Sequence, residues 1–156
     1  MIIGIDLFEN RLEMAIKMGA THIINSRDAD PKEEILNILG PGGADVVVDN
    51  TGLPEIIELS YELTKADGRT ILVGVPQKGN NISIHSLPLH FGKMITGSHG
   101  GEAYPADDIP RYIKMFKAGS LKLKNLITHE FPLDEINEAV NSMRTGVVSG
   151  RCIIQM

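Results

Sequence analysis

The chain has 156 residues, of which 42% are hydrophobic and 22% are charged, and its formal net charge is −5. This length suits one domain with a sizeable core, and the charged residues form no basic stripe that would displace counterions from nucleic-acid phosphates. The apolar start is too short for a signal peptide and lacks its basic region, and no run reaches the length of a membrane span. We therefore expect a soluble protein without a nucleic-acid or membrane partner.

Cys152 is the only cysteine, so no intrachain disulfide can form and a reducing, cytoplasmic location is expected. The five histidines and Cys152 show no metal-ligand spacing, and no C-x-x-C motif is present. His85 and His90 are five residues apart, which does not place them on one helical face. We predict no metal site and assign no catalytic residue.

The first ten residues, MIIGIDLFEN, predict a buried strand that ends in an acidic residue. An Ile-rich run of this kind suits a parallel strand covered on both faces, and Asp6 follows at its carboxyl end. In doubly wound nucleotide-binding sheets, an acidic residue at such a position accepts hydrogen bonds from the adenosine ribose. Asp6 is therefore a candidate ribose ligand, and the alternative is a polar residue that only closes the strand.

Helices and strands alternate along the first half of the chain. The predicted elements are a helix over Glu9–Met18 ended by Gly19, a strand over His22–Asn25, a helix from Pro31 capped by Asp30, a strand over residues 44–50, a helix over residues 54–64, a turn at residues 67–69 and a strand over residues 70–75. Three consecutive valines make residues 44–50 the clearest buried strand. This alternation predicts a parallel sheet with right-handed crossovers and helices on both faces.

The second half of the chain is less regular. Ile82, Ile84, Leu87 and Leu89 alternate as in an edge strand, and Pro88 limits how central that strand can be. The remaining predicted elements are a strand over residues 93–98, an amphipathic helix over Pro105–Lys117, a strand over residues 126–131, a helix that Asp134 caps and Gly146 ends, and a strand over residues 151–156. No repeat or linker interrupts the chain, so residues 1–156 are predicted to form a single α/β domain.

Six segments together resemble the cofactor-binding half of the medium-chain, zinc-dependent alcohol dehydrogenases, from the second strand of the nucleotide fold to the C-terminus. They are IIGIDLFENRLEMAIKMGAT, VVVDNTG, ILVGVP, GSHGG, LITHEFPLDEINEAVNSMRTG and GRCIIQM. Each segment is weak alone, but six in the family's order are specific. The resemblance implies a Rossmann-like, doubly wound and mostly parallel sheet truncated at its N-terminus, and hydride transfer between NAD and an alcohol or carbonyl compound.

The resemblance also assigns cofactor-binding roles to nine residues. Asp6 would accept hydrogen bonds from the adenosine ribose with Arg11 beside it, and a carboxylate there favours NAD because it would repel the extra phosphate of NADP. The other seven are Thr51 and Gly52 along the adenine and ribose path, Gly74 and Val75 against the nicotinamide, Ser98 and His99 at the carboxamide, and Arg151 near the phosphate or ribose. The open alternatives are ordinary turn residues at the first three of these positions and a surface cation at the last.

Two parts of the family pattern have no counterpart in the sequence. One is the catalytic domain with its zinc ligands and proton relay, so zinc is expected only in the full-length family and the chain should not catalyse the reaction alone. The other is the first strand with its G-x-G-x-x-G loop, which places the cofactor's pyrophosphate at a helix N-terminus. NAD binding is therefore expected to be weak or lost.

The absent strand is the central one in the strand order 3-2-1-4-5-6. Unpaired edges in the middle of a sheet leave backbone groups without partners. We therefore predict that the family's second and fourth strands close up directly or that another chain fills the gap. The resemblance also implies a homo-oligomer, a dimer formed through the segment 81–98, with an ordinary edge strand as the alternative.

Three functional hypotheses fit these residues. The first is the cofactor domain of an NAD-dependent alcohol or polyol dehydrogenase. The second is a non-catalytic remnant that oligomerises through its sheet edges and whose nucleotide site is vestigial. The third is the cofactor domain of a zinc-free quinone reductase, against which Asp6 argues because an NADP preference would require a small residue and a cation there.

Overall fold

The computed structural model describes residues 1–123 and 126–156. Its helices and strands are β1 Ile3–Asp6, α1 Glu9–Met18, β2 His22–Asn25, α2 Pro31–Leu39, β3 Ala44–Asp49, α3 Pro54–Leu63, β4 Thr64–Leu72, β5 Met94–Gly97, α4 Pro105–Lys117, β6 Ile127–Pro132, α5 Ile136–Arg144 and β7 Arg151–Gln155. The fold divides into two compact units, unit 1 with residues 1–31 and 105–156 and unit 2 with residues 32–104. The single domain over residues 1–156 stays a prediction. None of the helices in the described residues has the length and apolar character needed to cross a membrane.

In unit 1, β1 and β2 form a parallel pair in which Asp6 lies opposite Asn25. The connecting helix α1 packs on both strands, and its Leu12 is almost completely buried. Gly19 ends α1 in the left-handed conformation with a φ of 115°, which a residue with a side chain adopts only with strain. The predicted bounds of α1 and β2 and the stop at Gly19 are confirmed.

The C-terminal part of unit 1 holds a second parallel pair, β6 with β7, and α5 packs against β6. A 3₁₀ turn over Leu133–Glu135 precedes α5, so Glu135 occupies the N-cap position and makes no side-chain cap bond. The prediction that Asp134 caps this helix is therefore wrong. Asp134 lies inside the 3₁₀ turn and does not occupy the N-cap position of α5. On α4, the predicted apolar face, which includes Ile109, is exposed.

Unit 2 is built on a parallel sheet of three strands in the order β3-β4-β5, with α3 packed on β3 and β4. Ile57 of α3 and Thr70 of β4 are almost completely buried. Val46 and Val48 belong to the face opposite to that of the buried Asp49, since alternate residues of a strand point to opposite sides. They are 54% and 52% exposed. The prediction that this is the clearest buried strand of the sequence is therefore wrong for one face.

The ladders of the described residues all run parallel, and the predicted α/β class is confirmed. They form three separate sheets, β1-β2, β3-β4-β5 and β6-β7. That β1 and β3, the strands on either side of the absent strand, close up directly stays a prediction, since the two strands belong to different compact units. Within its own unit, each of these strands keeps the neighbour it has in the order 3-2-1-4-5-6, β1 with β2 and β3 with β4. Whether another chain fills the gap stays a prediction.

The strand β4 begins earlier than predicted, at Thr64, and its register with β3 shifts where Asp45 stands opposite residues 65–68. The predicted tight turn at residues 67–69 is therefore wrong, because these residues lie in an irregular part of the strand. A Cβ on Gly68 would lie 2.8 Å from the carbonyl oxygen of Asp45. The glycine thus allows the two backbones to approach at the irregularity.

Residues 77–86 form no regular element and Leu87–Phe91 form a 3₁₀ helix, so the predicted edge strand in this segment is wrong. Pro88 lies in the first turn of the 3₁₀ helix, where its fixed φ is suitable and its missing N–H leaves no bond unmade. Leu87 and Phe91 are 54% and 75% exposed. The segment therefore presents apolar side chains to solvent rather than a strand edge.

Candidate functional site

Asp6 ends β1, and the chain that follows orients its carboxylate. Oδ1 accepts a hydrogen bond from the Phe8 N–H at 3.0 Å and lies 3.7 Å from Nη1 of Arg11. Both contacts fall on Oδ1, and among the described residues none falls on Oδ2. The Asp6 side chain is 31% exposed. The carboxylate is thus fixed in orientation and still open to a ligand that donates hydrogen bonds.

Phe8 and Arg27 complete this end of β1, and no sequence motif identifies them. The guanidinium carbons of Arg11 and Arg27 each lie 4.7 Å from the centroid of the Phe8 ring, a distance at which an aromatic ring attracts a cation. The Ser26 N–H donates to the Asp6 carbonyl at 3.1 Å, which tethers the loop that carries Arg27 to the end of β1. Two cations are therefore held close to the strand that Asp6 ends.

Four predicted cofactor residues, Thr51, Gly52, Gly74 and Val75, meet where β3 and β4 end. A Cβ on Gly74 would lie 2.3 Å from the Gly52 nitrogen, and a Cβ on Gly52 would lie 2.7 Å from the Val75 carbonyl oxygen. No side chain fits at those distances, so the two backbone segments touch and both positions require glycine. We call residues 49–53 and 73–76 together the glycine platform.

Val75 is the most exposed of the valines and the leucine of the glycine platform, with 89% of its surface accessible. Thr51 is exposed as well, whereas Gly52 is buried. The platform lies at the carboxyl ends of parallel strands, which is where doubly wound folds bind their ligands. Its backbone is therefore fixed while Thr51 and Val75 face solvent.

Ser98 and His99 follow β5, at the same edge of the three-stranded sheet as the glycine platform. The Ser98 N–H donates to the Leu72 carbonyl at 2.8 Å, and Ser98 Oγ accepts from the Gly101 N–H at 3.1 Å. Because the Ser98 N–H is already bonded, the groups left for a cofactor include the Ser98 carbonyl, the Ser98 hydroxyl hydrogen and the exposed His99.

Arg151 begins β7 in unit 1, opposite Ile127 of β6, and is exposed. No hydrogen bond or ion pair joins it to Asp6 or Arg11 within the described part of unit 1. The described residues also contain no group of three or more His, Cys, Asp or Glu side chains that could hold a metal ion. Zinc therefore has no fitting ligand set in the described part of the chain.

The sequence matches the profile of the zinc-binding dehydrogenase family over residues 1–118. Alcohol dehydrogenase 1 of Trifolium repens is 34% identical, in an alignment that covers 99% of this chain and 41% of that protein. Alcohol dehydrogenase 2 of Zea mays is 35% identical over the same shares. The chain thus spans about two fifths of the length of the curated relatives it matches.

A solved structure, benzyl alcohol dehydrogenase from Acinetobacter calcoaceticus, matches this chain with a TM-score of 0.90 and 33% identity, over 100% of this chain and 42% of that chain. This likeness confirms the Rossmann-like sheet. A zinc-binding dehydrogenase from Sinorhizobium meliloti, solved bound to NADP, shares the fold with a TM-score of 0.74 and 24% identity, over 96% of this chain and 41% of that chain. The predicted resemblance is confirmed: this chain belongs to the zinc-binding dehydrogenase family.

Proposed function

We propose that the chain is the cofactor-binding portion of an NAD-dependent oxidoreductase that transfers hydride between nicotinamide and an alcohol or carbonyl carbon. The family membership and the relatives named alcohol dehydrogenases support this proposal. Because the chain spans about two fifths of those relatives, we propose that it binds the cofactor and is inactive alone. The observation that carries the proposal is the open Oδ2 of Asp6 at the carboxyl end of a parallel strand.

The Asp6 carboxylate suits the adenosine ribose of NAD. That ribose offers two neighbouring hydroxyl donors, and a carboxylate with an open oxygen can accept from them. In NADP a phosphate replaces one hydroxyl and adds negative charge, which Asp6 would repel. Arg11, 3.7 Å from Oδ1, would lie beside the ribose and reduces this repulsion without removing it. NAD is therefore the proposed cofactor.

The glycine platform is proposed to contact the nicotinamide side, where Gly74 permits close approach of backbone and Val75 offers an exposed apolar side chain. The remaining proposed contacts are Thr51 and Gly52 along the adenine and ribose path, Ser98 and His99 at the carboxamide, and Arg151 near the phosphate or ribose. NAD, when bound, supplies the hydride acceptor, and the chain's residues bind and orient it.

A second candidate function is a non-catalytic, oligomerising remnant with a vestigial nucleotide site. The exposed apolar side chains favour it, because exposed apolar surface is typical of interaction sites. They include Leu87 and Phe91 in the segment 81–98 and Val46 and Val48 of β3. Under either candidate we propose a homo-oligomer that forms through the segment 81–98 or through exposed strand edges.

The third hypothesis, the cofactor domain of a zinc-free quinone reductase, is disfavoured by Asp6. An NADP preference would require a small residue there, although Arg11 and Arg27 supply the cations. Zinc would belong to parts of the full-length family that have no counterpart in this chain. A cytoplasmic location is proposed from the single cysteine, Cys152.

The proposed function is tested by calorimetric titration of the chain with NAD and with NADP, together with its mass in solution. NAD binding that is lost in Asp6→Ala and kept in Asp28→Ala, a control with an exposed carboxylate on the loop after β2, would support the proposal even if it is weak. If a folded, oligomeric wild-type chain binds no NAD, the NAD proposal fails and the remnant is favoured. A monomeric mass would contradict the proposed oligomer.

A further inference from the structure

Asp49, the last residue of β3, is a buried carboxylate in the middle of the glycine platform. It is 2% exposed, and both of its carboxylate oxygens accept hydrogen bonds. Oδ1 accepts from the Thr51 N–H at 2.9 Å and from Thr51 Oγ1 at 2.6 Å, and Oδ2 accepts from the Gly52 N–H at 3.0 Å. The side chain therefore fixes the turn that carries two of the proposed cofactor residues.

The backbone of Asp49 holds the second turn of the platform. Its carbonyl accepts hydrogen bonds from the Val73 N–H at 2.8 Å and from the Gly74 N–H at 2.9 Å. This double acceptance ends the β4 ladder and directs the chain toward Val75. One residue thus bonds to both segments of the platform, through its side chain to residues 51 and 52 and through its carbonyl to residues 73 and 74.

The contact between the two segments leaves little freedom for either. Gly74 lies so close to the Gly52 nitrogen that a Cβ would reach within 2.3 Å of it. A shift of the turn at residues 51 and 52 therefore forces a shift at residues 74 and 75. The position of the exposed Val75 depends on the geometry that Asp49 sets at Thr51 and Gly52.

A carboxylate is suited to this place because it accepts at both oxygens. Asparagine would present an amide NH₂ donor toward one of the N–H groups and could accept only at its single oxygen. Burying a charged group costs free energy unless its hydrogen bonds are made. Here three bonds to the platform meet that condition.

We propose that Asp49 is a positioning residue for the cofactor: it does not touch NAD, but its carboxylate sets the relative placement of Thr51–Gly52 and Gly74–Val75, on which NAD binding depends. This inference rests on the proposed function of the chain. It adds to the proposed cofactor residues one buried residue that acts through four of them.

The test compares Asp49→Asn with Asp45→Asn, a matched control that replaces the exposed aspartate of the same strand. NAD affinity is measured by calorimetry well below the unfolding temperature, and amide hydrogen exchange is followed at residues 51–53 and 73–75. We expect Asp49→Asn to weaken NAD binding by about tenfold to a hundredfold, as misplaced binding groups do, and to speed exchange in both segments. Asp45→Asn should change neither.

Unchanged NAD affinity in a folded Asp49→Asn variant would overturn the proposal. If that variant does not fold, Asp49→Glu replaces it, since glutamate keeps the charge but moves the carboxylate by one methylene. Wild-type affinity in Asp49→Glu would equally overturn the proposal, because the placement of the carboxylate would then not matter.

The failure of the proposed function would be distinguishable. If the wild-type chain binds no NAD, the proposed function fails, and the exchange measurement alone decides whether Asp49 couples the two segments. Exchange that rises at residues 51–53 but not at 73–75 would show a merely local turn contact and would overturn the coupling.

Discussion

Asp6 and Asp49 occupy the same place in two different parallel strands, yet the chain uses them differently. Each ends its strand, and each accepts through Oδ1 a hydrogen bond from the N–H two residues further on. The Asp6 side chain is 31% exposed and its Oδ2 is open within the described part of the chain, whereas Asp49 is 2% exposed and bonded at both oxygens. The same turn geometry thus leaves a carboxylate accessible at the end of β1, whereas at the end of β3 the carboxylate fixes the backbone conformation of the following turn.

Burial thus determines whether a carboxylate at a strand end can bind a ligand or only stabilises its own chain. A buried carboxylate uses its acceptors on its own chain, so its loss should reduce stability and binding together. An open carboxylate keeps an acceptor and its charge for a ligand, so its loss should reduce binding more than stability. Substitutions in the two places can separate these effects.

The largest effect is expected for Gly74→Ala, which disturbs the backbone that Asp49 holds in place. The new Cβ would lie 2.3 Å from the Gly52 nitrogen and 2.6 Å from the Asn50 carbonyl carbon, so the backbone must move. We expect a loss of about 3 kcal/mol in the free energy of unfolding, measured in urea, and loss of NAD binding. The control is Gly42→Ala, where nothing lies within 4 Å and a change within about 0.5 kcal/mol is expected. Equal unfolding midpoints for the two variants would contradict the prediction.

Asp49→Ala and Asp6→Ala compare the two carboxylates directly by urea unfolding. Removal of Asp49 leaves the buried Gly52 N–H and the Thr51 N–H without acceptors, at a cost of about 2 to 4 kcal/mol. Removal of Asp6 breaks one partly buried bond to the Phe8 N–H, and we expect a loss of about 1 kcal/mol or less. A cost at position 6 that equals the cost at position 49 would remove the distinction between them.

Asp6→Asn tests the role of Asp6 in binding separately from its role in stability. The amide oxygen can still accept from the Phe8 N–H, but the negative charge is gone. We expect NAD affinity to fall by about tenfold and the preference for NAD over NADP to shrink, with the free energy of unfolding within about 0.5 kcal/mol of wild type. Calorimetric titration with both cofactors measures this, with Asp45→Asn as the control. An unchanged ratio of the two affinities would show that Asp6 does not discriminate between them.

The smallest effect is expected at Asp45, which shares β3 with Asp49 but is exposed and paired with Lys65. The hydrogen bond and the charge of Lys65 lower the pKa of Asp45 below its usual 3.8, and the same pair raises the pKa of Lys65 above 10.5. The ion pair therefore stabilises the fold between pH 3.8 and pH 10.5. This contribution is lost as pH falls through the lowered pKa of Asp45 or rises through the raised pKa of Lys65. Urea unfolding of Asp45→Asn should match wild type closely at pH 7. A large loss at pH 7 would contradict this reading of the exposed pair.

The predictable features are local ones. Gly19 and the apolar spacing before it sufficed to bound α1, and the position of Asp6 after an Ile-rich run sufficed to predict a strand end. The glycine platform could not be predicted, because the contact between Gly52 and Gly74 joins segments distant in sequence. The role of Asp49 depends on that contact and on the burial of its side chain, which its sequence position does not indicate.

Burial and pairing were predicted less well for the same reason. Three consecutive valines indicate a buried strand, but whether Val46 and Val48 are covered depends on what packs against that face of the sheet. The alternation from Ile82 to Leu89 is typical of an edge strand, but a strand also requires a partner, and the chain instead forms a 3₁₀ helix at Pro88. Both errors concern tertiary contacts. The residue pattern of a strand, whether alternating or a short apolar run, does not show what packs against its faces or pairs with its edges.

The interlocked glycines also bear on how this fold can be recombined. Because the turns after β3 and β4 touch through Gly52 and Gly74, an insertion, deletion or sequence exchange in one turn would have to be matched by the other. Chimeras with related dehydrogenases should therefore transfer residues 49–53 and 73–76 as one cassette from a single parent. A crossover placed between the two turns would combine turns from two parents, and their backbones would not match where residues 52 and 74 touch.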